Sequence, residues 1–435
     1  MAKEGLSFPG IEALGTSRHE GELENGSKLV VFERPGMPVY MRASLFAGSR
    51  FDPLDKGGLS HFSEHMVAAG TRRFPTKDKL AAHIEQYGGS IGATIGLEIL
   101  SVNTEVGDPK DLRVGMKVMH EMLLEPLFRK RTIESERSSI QRELGVKKSN
   151  PSEMAWDVYK RLFYQGTPVG RSGLGSEESI NRISKPDLDE FYANNFRSGN
   201  TTFVVSGGVK FDEVMKMGQD YLNLPRSKRF TLPTSLPIIR DKAVDIEPYV
   251  GKDQVHLVLG FRTTPRFHPD NPALDVITEI IGGGRASSLI RLLRYGRGLV
   301  YGVWGYQLSL SDSGAWVIKT STAKDKLNEV LSIISGEIKR IQNHGLTQKE
   351  VCFAQNKIVK SARMDLQTSS DWVDWHSEYE LTGNNPSELK DQMDGILKVT
   401  PESTRIVAQN YFAPGKWYLG ICGDVKNDDS VVINL

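Results

Sequence analysis

The sequence has 435 residues, too many for one ordinary hydrophobic core and enough for two domains of about 200 residues each. Its 39% hydrophobic and 25% charged residues exclude a disordered or fibrous chain. With 55 Lys and Arg against 54 Asp and Glu, a net charge of +1 gives no electrostatic case for nucleic acid or an anionic membrane as the main partner.

The first residues, MAKEGLSFPGIEALGTSRHE, contain no basic segment followed by a continuous apolar run. No signal peptide is therefore predicted. No apolar stretch approaches the roughly 18 residues of a membrane span, so a cytoplasmic location is expected unless a targeting segment has been removed. VYMRASLFAG, residues 39–48, reads as a strand. In GGLSHFSEHMVAAGT, residues 57–71, a helix carries His61 and His65 four positions apart. On a helix that spacing differs by about 40° of azimuth, so both imidazoles leave one face, with Glu64 at its flank.

KDKLAAHIEQYGG follows as a second helix closed by Gly88. SIGATIG and LEILSVNTEV predict an antiparallel pair. DPKDLRVGMKVMHEMLLEP opens on an Asp cap and runs as a helix to Pro126. Residues 130–148 form another, with Ile133, Ile140 and Leu144 on one side. Residues 323–412 are mostly helical by pattern.

Two stretches repeat each other. SKPDLDEFYANNFRSGNTTFVVSGGV, residues 184–209, aligns without a gap to TPESTRIVAQNYFAPGKWYLGICGDV, residues 400–425. Phe196 matches Phe412, Gly199 Gly415, Gly207 Gly423 and Val209 Val425, each pair 216 positions apart. Each copy is a polar-capped helix, a turn and an apolar strand ending at Gly. Phe51 in LFAGSRFDP and Phe267 in GFRTTPRFHP repeat the same offset. The fold class expected is α+β, with two homologous domains, 1–225 and 241–435, made of mostly antiparallel sheet packed with helices. A linker over 226–240 is predicted from LPRSKRFTLPTSLPIIR, which has Pro225, Pro233, Pro237 and a basic cluster.

Two histidines and a nearby glutamate suit zinc, which takes imidazole and carboxylate donors and in catalytic sites keeps a position for water. Paired histidines on a helix are more often packed or solvated, so a third ligand is needed. ESERSSIQRELG, residues 134–145, places Glu136 and Glu143 two helical turns apart on one face. One could reach a metal while the other braces a ligand. Spacing alone does not choose among Glu134, Glu136 and Glu143, and Glu with Arg on a helix usually marks a solvated face. Cys352 and Cys422 flank no histidine, form no zinc knuckle or disulfide framework, and fit a reducing compartment. IGGGRAS lacks the GK[ST] of a phosphate-binding loop. Trp372, Trp375, His376, His83 and His120 read as helix packing.

HFSEH, followed 78 residues after His65 by Glu143, resembles the pitrilysin-like zinc metallopeptidases with an inverted H-x-x-E-H motif. The likeness extends through YQGTPVGRSGLGSEESINRISKPDLDEFY, DQVHLVLGF, IGGGRASSLIRLLRYGRGLVYGV and GICGDV. It is nearest to the branch of about 50 kDa subunits that includes mitochondrial processing peptidase. The resemblance implies one Zn2+ per chain on His61, His65 and Glu143, with Glu64 as general base and Glu136 supporting the ligands. It implies that Arg294 and Tyr301 bind substrate and steady the oxyanion. The substrate would lie extended beside Gly92, Ala93 and Thr94. Many members carry Asn where this chain has Gly92, which removes a side-chain amide there. Val276, Glu279 and Ile280 stand at the corresponding place in the second copy, so no second zinc site is expected. The expected activity is a zinc-dependent endopeptidase acting on extended peptides or unfolded segments within a dimeric chamber. The partner is expected to be a second copy of the chain, or a related subunit, with zinc residues from one subunit and Arg294 and Tyr301 from the other. The alternative is a non-catalytic scaffold subunit of the same fold.

Overall fold

A computed structural model of the protein describes residues 6–232, 234, 243–249, 251, 253–382, 389–425 and 431–433. The first half runs β1 (Ser17–Glu22), β2 (Lys28–Glu33), β3 (Val39–Phe46), α1 (Leu59–Val67), α2 (Lys77–Glu85), β4 (Ser90–Ile95) and β5 (Ile99–Val106). It continues with α3 (Leu112–Leu124), α4 (Lys130–Lys148), α5 (Pro151–Phe163), α6 (Glu177–Arg182), α7 (Lys185–Asn195), β6 (Thr201–Gly207) and α8 (Phe211–Tyr221). The second half contains β7 (Ala243–Pro248), β8 (Gln254–Thr263), α9 (Asn271–Gly282), β9 (Val300–Ser309) and β10 (Gly314–Ala323). After these come α10 (Leu327–His344), α11 (Gln348–Met364), α12 (Ser369–Thr382), α13 (Leu389–Lys398), α14 (Pro401–Tyr411) and β11 (Trp417–Gly423). A π-helical turn, Ile290–Tyr295, precedes β9. Among the described residues no helix is long and apolar enough to cross a membrane.

The strands form two mixed sheets, ordered β1-β2-β6-β3-β5-β4 and β7-β11-β8-β10-β9. Apart from β1, they have one topology. β2 and β6 pair in parallel, as do β7 and β11, and the other neighbours are antiparallel. The 216-residue offset survives in the register: Val39 faces Val106 and Val255 faces Thr322, while Tyr40 faces Ser206 and His256 faces Cys422. The duplication seen in 184–209 and 400–425 is thus a duplication of hydrogen-bonded sheets. Both repeated helices begin on polar caps. Ser184 N–H donates to Asp187 Oδ2 at 2.7 Å, and Ser403 N–H donates to Thr400 Oγ1 at 3.1 Å. Residues 226–232 have no regular structure. Phe230 packs its ring 5.7 Å from Phe46, and its N–H donates to Gly199 O at 2.8 Å. Residues 233 and 235–240 of the expected linker lie outside the described residues.

One pair of equivalent helices is exchanged between the halves. α5, from the first half, packs on β7, β8 and β11 of the second sheet. α12, from the second half, packs on β3 and β6 of the first. Trp156 and Trp372, 216 positions apart, sit on these two helices. Under α5, Ala155, Tyr159 and Phe163 bury against Val258, Val317 and Tyr418. Under α12, Trp372 and His376 lie 5.8 and 4.4 Å from Phe32 between ring centroids. Glu380, at the end of α12, has a fully buried carboxylate held by Arg18 at 2.8 Å and Lys28 at 2.7 Å from β1 and β2. A second cross-link joins the β4–β5 turn to the β9–β10 turn. Glu98 pairs with Arg50 at 2.5 Å and with Arg266 at 3.2 Å, and Arg50 also holds Asp312 at 2.6 Å. Buried pairs of this kind gain their value from complete pairing, because losing one partner strands a charge.

Trp372→Ala should destabilise the whole molecule by about 3–5 kcal/mol, the cost of an emptied aromatic site in a core. Because that site lies on the other half's sheet, denaturant unfolding followed by fluorescence should show both halves losing stability in one shared transition.

Candidate metal centre

The helix that carries the histidines is fixed at its first turn. Gly58 has φ of +89°, and a Cβ there would lie 2.7 Å from Ile180 Cδ1 and from Leu174 O. The buried carboxylate of Asp52 accepts from the N–H groups of Gly58 at 2.8 Å and Ser60 at 2.9 Å. These are donors that a helix start leaves without partners. Burial pushes Asp52 up to about 6 despite these bonds, which pull the other way. Arg171 closes on the same loop, its Nη2 donating to Asp52 O at 2.6 Å.

α4 packs along α1. Ile133, Ile140 and Leu144 share one core cluster with Phe62 and Met66. The Arg137 guanidinium lies 5.3 Å above the Phe62 ring and donates to the carbonyls of Ile180 and Ile183. This seam turns Glu136 and Glu143 toward the histidines. Glu136 Oε2 lies 2.9 Å from His65 Nδ1. Glu143 lies 3.4 Å from His61 Nε2 through one oxygen and 3.6 Å from His65 Nε2 through the other. Donor atoms of His61, His65 and Glu143 all fall within 4.8 Å of one another, the one such group among the described residues. Donors about 2.0–2.1 Å from a tetrahedral zinc stand about 3.3 Å apart, so these residues fit that ion. The Glu136 contact supports the fit, because it occupies Nδ1 and leaves Nε2 of His65 to face Glu143.

The site's electrostatics follow from burial and crowding. Burial pushes His61 down to about 4, and His65 and Lys147 add to the fall. Its buried Nδ1 has no protein partner. Burial also acts to lower His65, but the Glu136 hydrogen bond and the charges of Glu143, Glu136 and Glu64 outweigh it, so His65 is raised. The bond from His65 lowers Glu136. Burial pushes Glu64 up to about 7, with Glu143 adding and His65 opposing. Glu64 Oε2 lies 4.0 Å from His61 Nε2. A divalent cation at the site would draw these carboxylates back toward ionisation.

The other residues singled out from sequence fall in two places. Gly92, Ala93 and Thr94 lie on β4, an edge strand of the first sheet bonded on one side to β5, and α1 packs next to it. Arg294 and Tyr301 come together on the second half, the guanidinium 5.0 Å from the phenol ring centroid. Among the described residues no hydrogen bond, ion pair or ring contact joins that pair to the histidine group. In α9, Val276 and Ile280 are buried in the core and Glu279 is held by Lys357 at 2.5 Å, so these three positions bring no donor set together. Two residues escaped the sequence reading. Asp52 sits six and eight residues before the donors it caps, beyond the usual N-cap window. Asn103 faces Gly92 across the β4–β5 pair, its Oδ1 2.9 Å from where a Gly92 Cβ would stand. The amide of Asn103 therefore fills the space beside that glycine.

At pH below the raised His65 value, zinc must displace a proton from His65 in the metal-free protein. Affinity should fall by up to about tenfold per pH unit below the raised His65 value, with proton release measurable by calorimetry in buffers of different ionisation heat. Glu136→Gln should weaken zinc about 10–100-fold in chelator competition and reduce the proton release.

Comparisons with known proteins bear on the family and the fold. The model described as "Insulinase (Peptidase family M16)" matches residues 39–177, and the one described as "Peptidase M16 inactive domain" matches residues 182–358. An uncharacterized zinc protease of Streptomyces coelicolor is 24% identical over 423 residues, covering 94% of this chain and 90% of its own. One of Bacillus subtilis, YmxG, is 22% identical over 390 residues, covering 89% and 94%. Among solved structures, a protease from Helicobacter pylori superposes with a TM-score of 0.87 at 18% identity, covering 94% of this chain and 99% of that one. A peptidase M16 inactive domain from Pseudomonas fluorescens gives 0.87 at 19% identity, covering 96% and 100%. Two sheets of one topology, a histidine–glutamate donor group in the first half and family models matching both halves lead to one assignment: the chain belongs to the pitrilysin-like metallopeptidases of family M16.

Proposed function

We propose that the protein is a zinc-dependent endopeptidase that hydrolyses peptide bonds of extended or unfolded polypeptides. The observation that carries this reading is the donor group of His61, His65 and Glu143 with Glu64 at its edge. Zinc, when held there, supplies a Lewis acid that polarises a carbonyl and makes a water more acidic. Glu64 is the group placed to take the proton of the attacking water and return it to the leaving amine. Its carboxyl is half-buried at the edge of the donor group, within reach of a water held there. Glu136 fixes the His65 ring through Nδ1. The free edge of β4 offers N–H and C=O groups to an extended peptide, which would bind as an added strand with Gly92, Ala93 and Thr94 facing it.

We place the Arg294–Tyr301 pair at the same reaction centre from a second copy of the chain, in a homodimer enclosing a chamber. Supporting this, Tyr301 is 78% exposed, and among the described residues the ring contact it makes is with Arg294 of the same segment. There it would donate to the developing oxyanion, while Arg294 binds substrate.

Glu64→Gln should leave zinc content unchanged and lower hydrolysis of an unfolded peptide by at least about 10²–10⁴-fold. Retained hydrolysis would remove Glu64 from the chemistry, and absence of hydrolysis in the zinc-loaded wild type would favour the scaffold alternative. Mixing Glu64→Gln with Tyr301→Phe subunits should restore activity through one intact site per heterodimer. A mixture as inactive as its parts would mean that the two groups do not meet across subunits.

A further inference from the structure

Five of the six tryptophans are buried or half-buried, whereas Trp304 on β9 is 55% exposed. β9 is the outer strand of the second sheet, and its pairing with β10 is irregular: Val303 faces Thr320, but Val300 faces Thr322. Two residues, Tyr301 and Gly302, therefore stand against the single Ser321, the signature of a bulge. In a regular strand residues three apart point to opposite faces. Here the bulge resets the alternation, so Val300 and Val303 both enter the large core of the second half. Tyr301 and Trp304 consequently share the opposite face, the one on which Tyr306 packs toward α5. Gly302 lies between them, and a Cβ there would stand 2.7–3.3 Å from three atoms of the Trp304 six-membered ring. The absence of a side chain at 302 is what lets the indole lie down along the strand toward Tyr301.

We infer that Trp304 is a specificity-determining platform that stacks a large apolar side chain, aromatic above all, of the bound peptide; the inference rests on the peptidase reading above. An indole face left in water forgoes a large apolar contact, and a flat aromatic or branched aliphatic group recovers it. The lysine opposite, Lys319, is already paired with Glu153 at 3.4 Å, so the platform has no free cation from that neighbour to attract an acidic residue instead. Tyr301 and Trp304 are separated by roughly 7–10 Å along the strand, the span of two or three extended residues. The selected side chain therefore sits two or three positions from the bond whose carbonyl Tyr301 would contact.

A mixed peptide library digested by the wild type, with products read by mass spectrometry, should show enrichment of Phe, Tyr, Trp or Leu at one such position. Trp304→Ala should erase that enrichment, lowering kcat/KM about tenfold for peptides with Phe there and leaving peptides with Ser there nearly unchanged. Gly302→Val, which displaces the indole without removing it, should act in the same direction. An unchanged cleavage profile in Trp304→Ala, an equal loss for all peptides, or a shift from dimer to monomer by light scattering would overturn the inference. Binding separates this outcome from failure of the hydrolytic reading. In the Glu64→Gln protein, an uncleaved Phe peptide should shift the tryptophan emission, and Trp304→Phe should abolish the shift. A wild type that cleaves nothing but shows this signal would refute hydrolysis and keep the platform; no signal would refute the platform.

Discussion

Everything at the metal centre depends on the seam between α1 and α4. A helix presents residues four apart on one side and residues seven apart on nearly the same line, so two helices packed side by side can offer four polar groups to one point. Ile133, Ile140, Leu144, Phe62 and Met66 set the contact, and Arg137 ties it to the carbonyls after α6. Neither helix has the donors alone. The apolar seam is therefore the source of the site's geometry, and the capped first turn of α1 sets where along the seam the histidines fall.

Burial at that seam also decides the charge states. Four ionisable groups crowd into a space that disfavours their charged forms. His61 responds by staying neutral, Glu64 by holding its proton more tightly, and His65 and Glu136 by sharing one. Neutral His61 already suits a divalent cation, whereas the raised His65 and Glu64 run opposite to the state that a cation favours. A divalent cation held by these donors would relieve the crowding among them.

Much of this was legible in the sequence because it is periodic. The 216-residue offset could be read from Phe196, Gly207 and Val209 because a strand between a capped helix and a glycine leaves a fixed pattern. It proved to be written into the strand register as well. The α4 pattern named Ile133, Ile140 and Leu144, all buried, and the outward pair Glu136 and Glu143. Which glutamate meets which nitrogen was not legible, since seven residues of spacing look the same from either end. The cap by Asp52 was hidden because its donors arrive through a loop. β1 and the bulge at Tyr301 leave no periodic trace, and so the shared face of Tyr301 and Trp304 appears only in the pairing. The choice of sheet for α5 was equally hidden, because an amphipathic helix has the same period whichever surface covers it.

The crossing of α5 and α12 has a meaning beyond stability. Each half lends the other the helix that its own sheet lacks on one face, and the two helices occupy equivalent positions in the duplicated pattern. That is the arrangement of a domain-swapped homodimer, in which identical protomers trade one element, with the two protomers joined in a single chain. Fusing the tail of one such protomer to the head of the next requires no element to move. A chain nicked between the halves would leave two fragments that still hold each other by their traded helices.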